Sequence, residues 1–117
     1  MQFVYQARIL PDGETVILKM LEQENGAHLI KPLDLRLDLA NHSPTGFSWG
    51  YLGSGPMQTA LAILAEVIGN ERALRLHGTF GREVIARYPW NDQAPGIKWQ
   101  IGTEEVLDWA KAKGAAQ

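Results

Sequence analysis

The chain has 117 residues, of which 45% are hydrophobic and 21% are charged, a composition that fits one globular domain over 1–117 and excludes intrinsic disorder. The sequence contains no cysteine, which excludes disulfides, thiolate metal sites and cysteine nucleophiles. A formal net charge of −2 disfavours a global attraction to nucleic acid. The longest apolar run, 60–68, is far shorter than the about 20 residues of a membrane span. We therefore expect a cytoplasmic protein without a membrane partner.

The first third of the chain predicts a small antiparallel sheet. Apolar and polar residues alternate over 2–10 and, less strictly, over 16–21. The sequence PDG at 11–13 is typical of a turn, because proline fixes φ and glycine accepts a positive φ, so the two segments predict a hairpin. Asn-Gly at 25–26 indicates a second turn, after which 28–33 can add a third short strand.

The segment 33–39, LDLRLDL, is ambiguous. Leucine alternates with aspartate or arginine, and this period of two favours an edge strand or an extended arm. A short helix is the alternative. Residues 41–46 have the composition of a loop, and a short strand over 47–51 then turns onto a helix.

The first of two consecutive helices is predicted over 56–68, because proline suits a first helical turn and Ser54 or Gly55 can cap it. The helix is apolar on most sides, which is typical of the centre of a core. Its residues expected to be almost inaccessible to solvent are Leu61, Leu64 and Ile68.

A second helix is predicted from an Asn70 cap to Tyr88, where Pro89 stops it. Gly78 and Gly81 inside it each cost up to about 1 kcal/mol relative to alanine, which indicates a kink or another backbone passing close by. Its predicted core face comprises Ala73, Leu74, Leu76, Phe80, Val84 and Tyr88.

The chain closes with a strand over 97–101 and a helix that Thr103 caps, with Glu104 and Glu105 placed favourably against its dipole. These elements together predict the fold class α+β. A small antiparallel sheet packs against a central apolar helix, accompanied by a second helix and a C-terminal helix.

The stretch 47–58, FSWGYLGSGPMQ, poses the main functional question, because glycines before a helix can cradle a phosphate. A nucleotide-binding loop needs a lysine after its last glycine, whereas Pro56 and Met57 stand here, and Gln58 replaces the third glycine of GxGxxG. We therefore favour a structural corner that needs no cofactor. The alternative is a small-ligand or enzymatic site formed by Trp49, Tyr51, Ser54 and Gln58.

The same stretch resembles a known family. The pattern HSPxGFxWGYxGSGPxQxALA, read over 42–62, is similar to the signature of a small bacterial family of domains of unknown function, whose members occur in phages, prophages and plasmids. The resemblance extends through the second helix to Trp109, roughly the last two-thirds of the chain. The chain departs from the family at Leu52, where glycine is usual, and at Gly81, where a larger polar or basic residue is expected. These departures argue against a ligand loop shared with the family. The resemblance implies a context of mobile elements in a bacterial host and no reaction.

Other candidate sites are weaker. His28, His42 and His77 do not have the spacing of metal ligands, and no G-x-S-x-G elbow presents a serine, so we predict neither a metal site nor a catalytic residue. Trp90 lies in a polar loop, where it is either a core residue or an exposed anchor for a protein partner.

An arginine face is formed by Arg72, Arg75 and Arg82, which share one side of the second helix by their spacing. It can contact an acidic protein or a phosphate backbone. The alternative is a solvated face that is partly paired with Glu71 and Glu83.

These observations favour a non-enzymatic binding protein that contacts a host protein or protein complex, and by analogy an inhibitor of a bacterial defence complex in the manner of anti-CRISPR proteins. The predicted partner-binding residues are Arg72, Arg75, Arg82 and Trp90. One alternative is a nucleic-acid-binding regulator that uses the arginine face. The other is the ligand-binding or enzymatic corner.

Overall fold

The computed structural model describes residues 2–22, 28–90 and 92–114. Its mixture of sheet and helices confirms the predicted α+β class. The strands are β1 (Val4–Ile9), β2 (Thr15–Glu22), β3 (His28–Pro32) and β4 (Gly96–Gly102). The helices are α1 (Ser54–Ile68), α2 (Asn70–Glu83) and α3 (Thr103–Gly114), with a short 3-10 helix at Ile85–Arg87 after α2. The turn predicted at 25–26 lies outside the described residues.

The four strands form one antiparallel sheet in the order β3-β2-β1-β4. The predicted hairpin of β1 and β2 is confirmed: Ala7 lies opposite Ile17, and the Gly13 N–H donates to the Leu10 carbonyl at 2.8 Å in the connection. The last strand, β4, pairs with the other side of β1. Segments from the two ends of the sequence are therefore neighbours in the sheet, with β4 at its edge.

The helix α1 lies at the centre of the core, as its composition predicts. Leu61 and Leu64 are fully buried, in one cluster with Ile17 of the sheet. The expectation for Ile68 is wrong, since this residue is only partly buried. It is the last residue of α1, where the chain turns at Gly69 and the side chain packs at the margin of the core.

The starts of α1 and α2 differ from the predicted ones. Helix α1 begins at Ser54 rather than at Pro56, so Gly53 is its N-cap instead of Ser54 or Gly55. Helix α2 includes Asn70 and takes Gly69 as its N-cap. A glycine cap has no side-chain oxygen to accept a hydrogen bond from the first N–H groups of the helix, but it costs only about a few tenths of a kcal/mol relative to a polar cap.

Thr103 is the first residue of α3 and has a different role from the predicted cap. Its hydroxyl accepts a hydrogen bond of 2.9 Å from the Phe3 N–H, and the Phe3 carbonyl accepts the Thr103 N–H at 2.9 Å. The start of α3 is therefore fastened to the residue before β1. Glu104 and Glu105 lie in the first turn of α3, as expected.

Helix α2 ends at Glu83, five residues before the predicted end. Pro89 has no N–H to donate to the carbonyl of Ile85, which explains a limit at Tyr88 but not the end at Glu83. That carbonyl instead accepts the Gly50 N–H at 3.0 Å. Leu74 is 42% exposed and does not belong to the core face, in contrast to the prediction. Buried members of that face are Ala73, Leu76 and Phe80.

The segment 33–39 is neither strand nor helix. The Arg36 N–H donates to the Asp34 carboxylate at 2.7 Å, and the Arg36 guanidinium bonds both oxygens of Asp38 at 3.0 Å. Arg36 has a φ of 58°, a conformation that costs a non-glycine residue about 1–2 kcal/mol. The carboxylates of Asp34 and Asp38 thus stabilise a local turn. The edge strand that the alternation of leucine and charged residues favours is therefore wrong, and so is the alternative of a short helix.

Candidate functional site

The glycine-rich corner, residues 47–58, passes from the loop after β3 into α1. The strand predicted over 47–51 is wrong, because this described segment is not paired in the sheet. The Ser48 N–H donates to the Thr59 hydroxyl at 3.1 Å, and the Ser48 carbonyl lies 2.8 Å from the same hydroxyl. Thr59 is fully buried. A side chain of α1 therefore takes the place of a neighbouring strand.

Gly50 is required at the bend of this corner. It has a φ of 84°, which side chains rarely tolerate. A Cβ there would lie 2.5 Å from the Tyr88 carbonyl oxygen and 2.6 Å from the Cβ of Trp90. The corner is thus packed against the chain that follows α2, without space for a side chain between them.

The start of α1 is covered by the corner itself. The hydroxyls of Ser48 and Tyr51 hydrogen-bond at 2.8 Å. A Cβ on Gly55 would lie 2.7 Å from the Tyr51 hydroxyl, so the two hydroxyls rest directly on this glycine. The packing favours a structural corner over a phosphate cradle, because an anion would have to displace both side chains. Ser54, beside them, is exposed.

The tryptophans of the corner face the core. Trp49 is 1% exposed, and its ring meets Trp90 edge-on at 4.8 Å and Trp99 at 5.6 Å between centroids. Tyr88 stacks on Trp99 with centroids 4.3 Å apart. Trp90 is partly buried and packs against the core, so only part of its surface is open to a partner.

Gln58 is fully buried and fastens the preceding loop to α1. Its Oε1 accepts the N–H groups of His42 at 2.7 Å and Ser43 at 3.2 Å, and its Nε2 donates to the Leu35 carbonyl at 2.6 Å. Three of the hydrogen bonds that an amide can form are thus made to backbone. Among the residues of the hypothetical ligand corner, Tyr51 and Ser54 are exposed, whereas Trp49 and Gln58 are buried.

A small pocket of about 220 Å³ opens where the corner meets α2. Leu52 and Tyr51 at its edge are 72% and 45% exposed. Gly81 allows α2 to approach α1 here: a Cβ on it would lie 3.3 Å from the Met57 sulfur and 3.6 Å from the Pro56 carbonyl. The expectation of another backbone close to a glycine of this helix is confirmed at Gly81. The lining residues are Tyr51, Leu52, Gly53, Pro56, Met57, Gly81 and Arg82.

The arginine face is exposed throughout, but its members differ in their surroundings. Arg75 pairs with Glu71 at 3.0 Å, as the solvated interpretation predicts. The Glu83 carboxylate instead accepts hydrogen bonds from the Lys113 ammonium and the Trp109 indole N–H. These bonds hold the pKa of its carboxyl below the ordinary value. Within 2–22, 28–90 and 92–114, Arg82 forms no ion pair, and it borders the pocket.

His42 and His77, for which the sequence indicates no relationship, are in contact in the structure. His42, in the loop held by Gln58, and His77, in α2, have their Nε2 atoms 3.1 Å apart. Burial, followed by the neighbouring His77, lowers the pKa of His42. No spacing signal could reveal this contact, because the residues lie on separate elements. The side chain of His28 is outside the described part of the chain. Among described residues, no group of three or more histidines and carboxylates could hold a metal ion.

Comparison with known proteins gives a family and no activity. A family model described as a family of unknown function (DUF6166) matches residues 5–112, so the chain belongs to this family. The expected resemblance to a family of unknown function is confirmed and extends over nearly the whole chain. No curated protein and no solved structure matches the chain significantly. In the part that the structure describes, no helix has both the length and the apolar character needed to cross a bilayer.

Proposed function

We propose that this member of the DUF6166 family is a non-enzymatic binding protein that acts by protein–protein contact. The contact is made by a corner surface, which we define as Tyr51, Leu52, Met57 and Arg82. The observation that carries the proposal is the position of exposed Leu52 at an apolar pocket, with Arg82 at its edge forming no ion pair to any residue that the structure describes. Single exposed apolar residues are ordinary, but a contiguous apolar patch with a polar border is typical of an interaction site.

The size of the pocket supports a protein partner. Its volume is about 220 Å³, below the about 300–1,000 Å³ of small-molecule sites. A pocket of this size receives one apolar side chain. Burying Leu52 against a partner contributes about 1.5–3 kcal/mol, which makes this residue the principal anchor of the surface.

The charge of the surface supports an acidic partner segment. Arg82 is exposed and contacts the Thr79 hydroxyl only weakly, at 3.4 Å. A carboxylate of the partner can therefore bond its guanidinium without first breaking an ion pair within the described residues. The complementary segment has an apolar side chain for the pocket and an aspartate or glutamate beside it.

The finer form of the proposal is inhibition of a bacterial defence complex. Its support is the family resemblance, which implies phages and plasmids, together with the general ability of a small protein to block another protein's surface. The observable consequence is that expression of this chain protects an invading plasmid or phage from a defence system. The substitution Leu52→Ser should remove that protection.

The interaction itself is tested by affinity capture from the native host. Wild-type protein should retain a specific protein that Leu52→Ser and Arg82→Gln lose. The matched controls are Leu107→Ser, which removes an exposed leucine of α3, and Arg87→Gln, which removes an exposed arginine outside the corner surface. Capture that persists in Leu52→Ser and Arg82→Gln contradicts the assigned surface. Recovery of nucleic acid in place of protein contradicts the proposed function.

A further inference from the structure

The contact of His42 with His77 joins the loop before the corner to α2. The two Nε2 atoms are 3.1 Å apart, and the ring centroids are 5.2 Å apart at an interplanar angle of 38°. Both side chains are partly exposed, so a solute can reach them. The corner surface does not include either residue, and this pair is a separate feature of the molecule.

The backbone of α2 determines which nitrogen of His77 carries the proton. His77 Nδ1 lies 3.0 Å from the carbonyl oxygens of Ala73 and of Leu74. A carbonyl oxygen only accepts hydrogen bonds, so Nδ1 carries the hydrogen and Nε2 of the neutral ring carries a lone pair. Histidines that bind metals usually donate their other N–H to a carbonyl or carboxylate in this way, which orients the ring.

The separation of the two Nε2 atoms is close to that of neighbouring ligands on one metal ion. Bonds of about 2.0–2.1 Å at a tetrahedral angle place two nitrogens about 3.3–3.4 Å apart. Square-planar Cu²⁺ with bonds of the same length places neighbouring nitrogens about 2.8–3.0 Å apart, so the observed 3.1 Å lies between the two geometries and needs to change by at most a few tenths of an ångström. Small rotations of the two rings supply this change, because His42 lies in a loop and both side chains reach the surface.

We propose that His42 and His77 bind one first-row transition-metal dication, such as Zn²⁺ or Cu²⁺, through their Nε2 atoms. In the metal-free pair His42 Nε2 donates its hydrogen to His77 Nε2, and on metal binding this hydrogen passes through solvent to His42 Nδ1, which frees the lone pair of His42 Nε2. Imidazole is a preferred ligand of these ions. The described residues offer two ligands and no third histidine or carboxylate, so water completes the coordination. The site therefore exchanges its metal readily and binds it less tightly than a closed site with four protein ligands.

Binding of the metal has a structural consequence. His42 belongs to the loop that Gln58 fastens to α1, and His77 belongs to α2. A metal bound by both histidines therefore links this loop to α2, in addition to the link that Gln58 makes between the loop and α1. Because the ion binds the folded chain and the two ligands are separated in the unfolded chain, it raises the melting temperature.

The test uses untagged full-length protein that has been freed of metal by a chelator. Calorimetric titration with Cu²⁺ should show one saturable equivalent, and the electron paramagnetic resonance spectrum should show coupling to two imidazole nitrogens. Both signals should persist in His28→Gln, which removes the third histidine of the chain, and should be lost in His42→Gln and His77→Gln. Zn²⁺ should raise the melting temperature of wild type and of His28→Gln alone.

A measurement on the wild type keeps the test valid if a variant fails to fold. Nitrogen-15 spectra of the histidine rings should show the Nε2 signals of His42 and His77 shifting together on addition of Zn²⁺. Absence of saturable binding overturns the proposal. Binding that survives His77→Gln, or shifts confined to His28, overturns it as well.

Discussion

The side-chain oxygen of Gln58 accepts the backbone N–H of His42 at 2.7 Å, which connects a fully buried position of α1 to the loop before the corner. The same amide bonds Ser43 and the Leu35 carbonyl. One side chain thus forms hydrogen bonds with three backbone groups of a segment that is not paired with a strand in the sheet. This amide therefore holds the loop that leads into the corner against α1.

Gln58→Leu should destabilise the protein strongly. The substitution keeps the approximate volume but leaves two N–H groups and one carbonyl without a partner, and each buried unsatisfied group costs about 1–3 kcal/mol. Urea unfolding should show a loss of at least about 2 kcal/mol, which allows for partial access of water to the freed groups. Gln93→Leu, a change of the same type at an exposed position, should alter stability by less than about 0.5 kcal/mol.

Gly50→Ala should cost more than Gly13→Ala. Both glycines have a positive φ, 84° and 88°, so the conformational penalty of about 1–2 kcal/mol is common to them. At Gly50 the new Cβ also meets Tyr88 and Trp90, whereas at Gly13 it meets nothing within 4 Å. The difference in unfolding free energy between the two variants therefore measures the close packing of the corner. Equal losses would show that the corner and the chain after α2 are not in contact.

The pH dependence of stability should include a contribution from Glu83. Its pKa is lowered in the folded protein by Lys113 and then by Trp109. The native state therefore holds fewer protons on this group than the unfolded chain, so its stabilisation is present above the ordinary pKa of about 4.5 and is lost as the pH falls through the folded value. Unfolding followed from pH 7 to pH 3 should show a smaller loss of stability in Glu83→Gln than in wild type. Glu104→Gln serves as the control, and a wild-type slope in Glu83→Gln would refute this assignment.

Duplex nucleic acid should bind weakly. Arg75 is already paired with Glu71, and the net charge of the chain is −2, so we expect a dissociation constant weaker than about 10 μM at physiological salt. If all three residues of the arginine face contacted phosphates, the slope of log K against log salt would be about −2.7. A salt titration of wild type against the triple change of Arg72, Arg75 and Arg82 to glutamine distinguishes these cases. Tighter binding that the triple change abolishes would favour the regulatory alternative.

The parts of the fold that the sequence predicted correctly depend on local signals. The hairpin turn at 11–13 and the apolar composition of α1 act within a few residues, so each element is visible in isolation. The end of α2 is not predicted correctly, because the carbonyl of Ile85 accepts the N–H of Gly50, which lies far away in the sequence. The segment 33–39 was misjudged because its aspartates bond their own backbone, and alternation alone cannot reveal that.

The candidate site was only partly predictable for the same reason. The arginine face is a property of one helix and can be read from spacing, and all its members are exposed. The pocket requires Leu52 and Arg82 to meet across two elements, and the contact of His42 with His77 requires a loop to fold back onto α2.

The proposed binding of a protein partner through Leu52 and Arg82 is tested most directly by the affinity of that partner, once captured and purified, for wild type and for single variants. Loss of the Leu52 anchor should weaken binding by about tenfold or more, because burying such a side chain contributes about 1.5–3 kcal/mol. Arg82→Gln should also weaken it, and Leu107→Ser should bind as wild type does. An affinity of Leu52→Ser within about twofold of wild type, a difference of less than about 0.5 kcal/mol, would contradict the proposed binding surface.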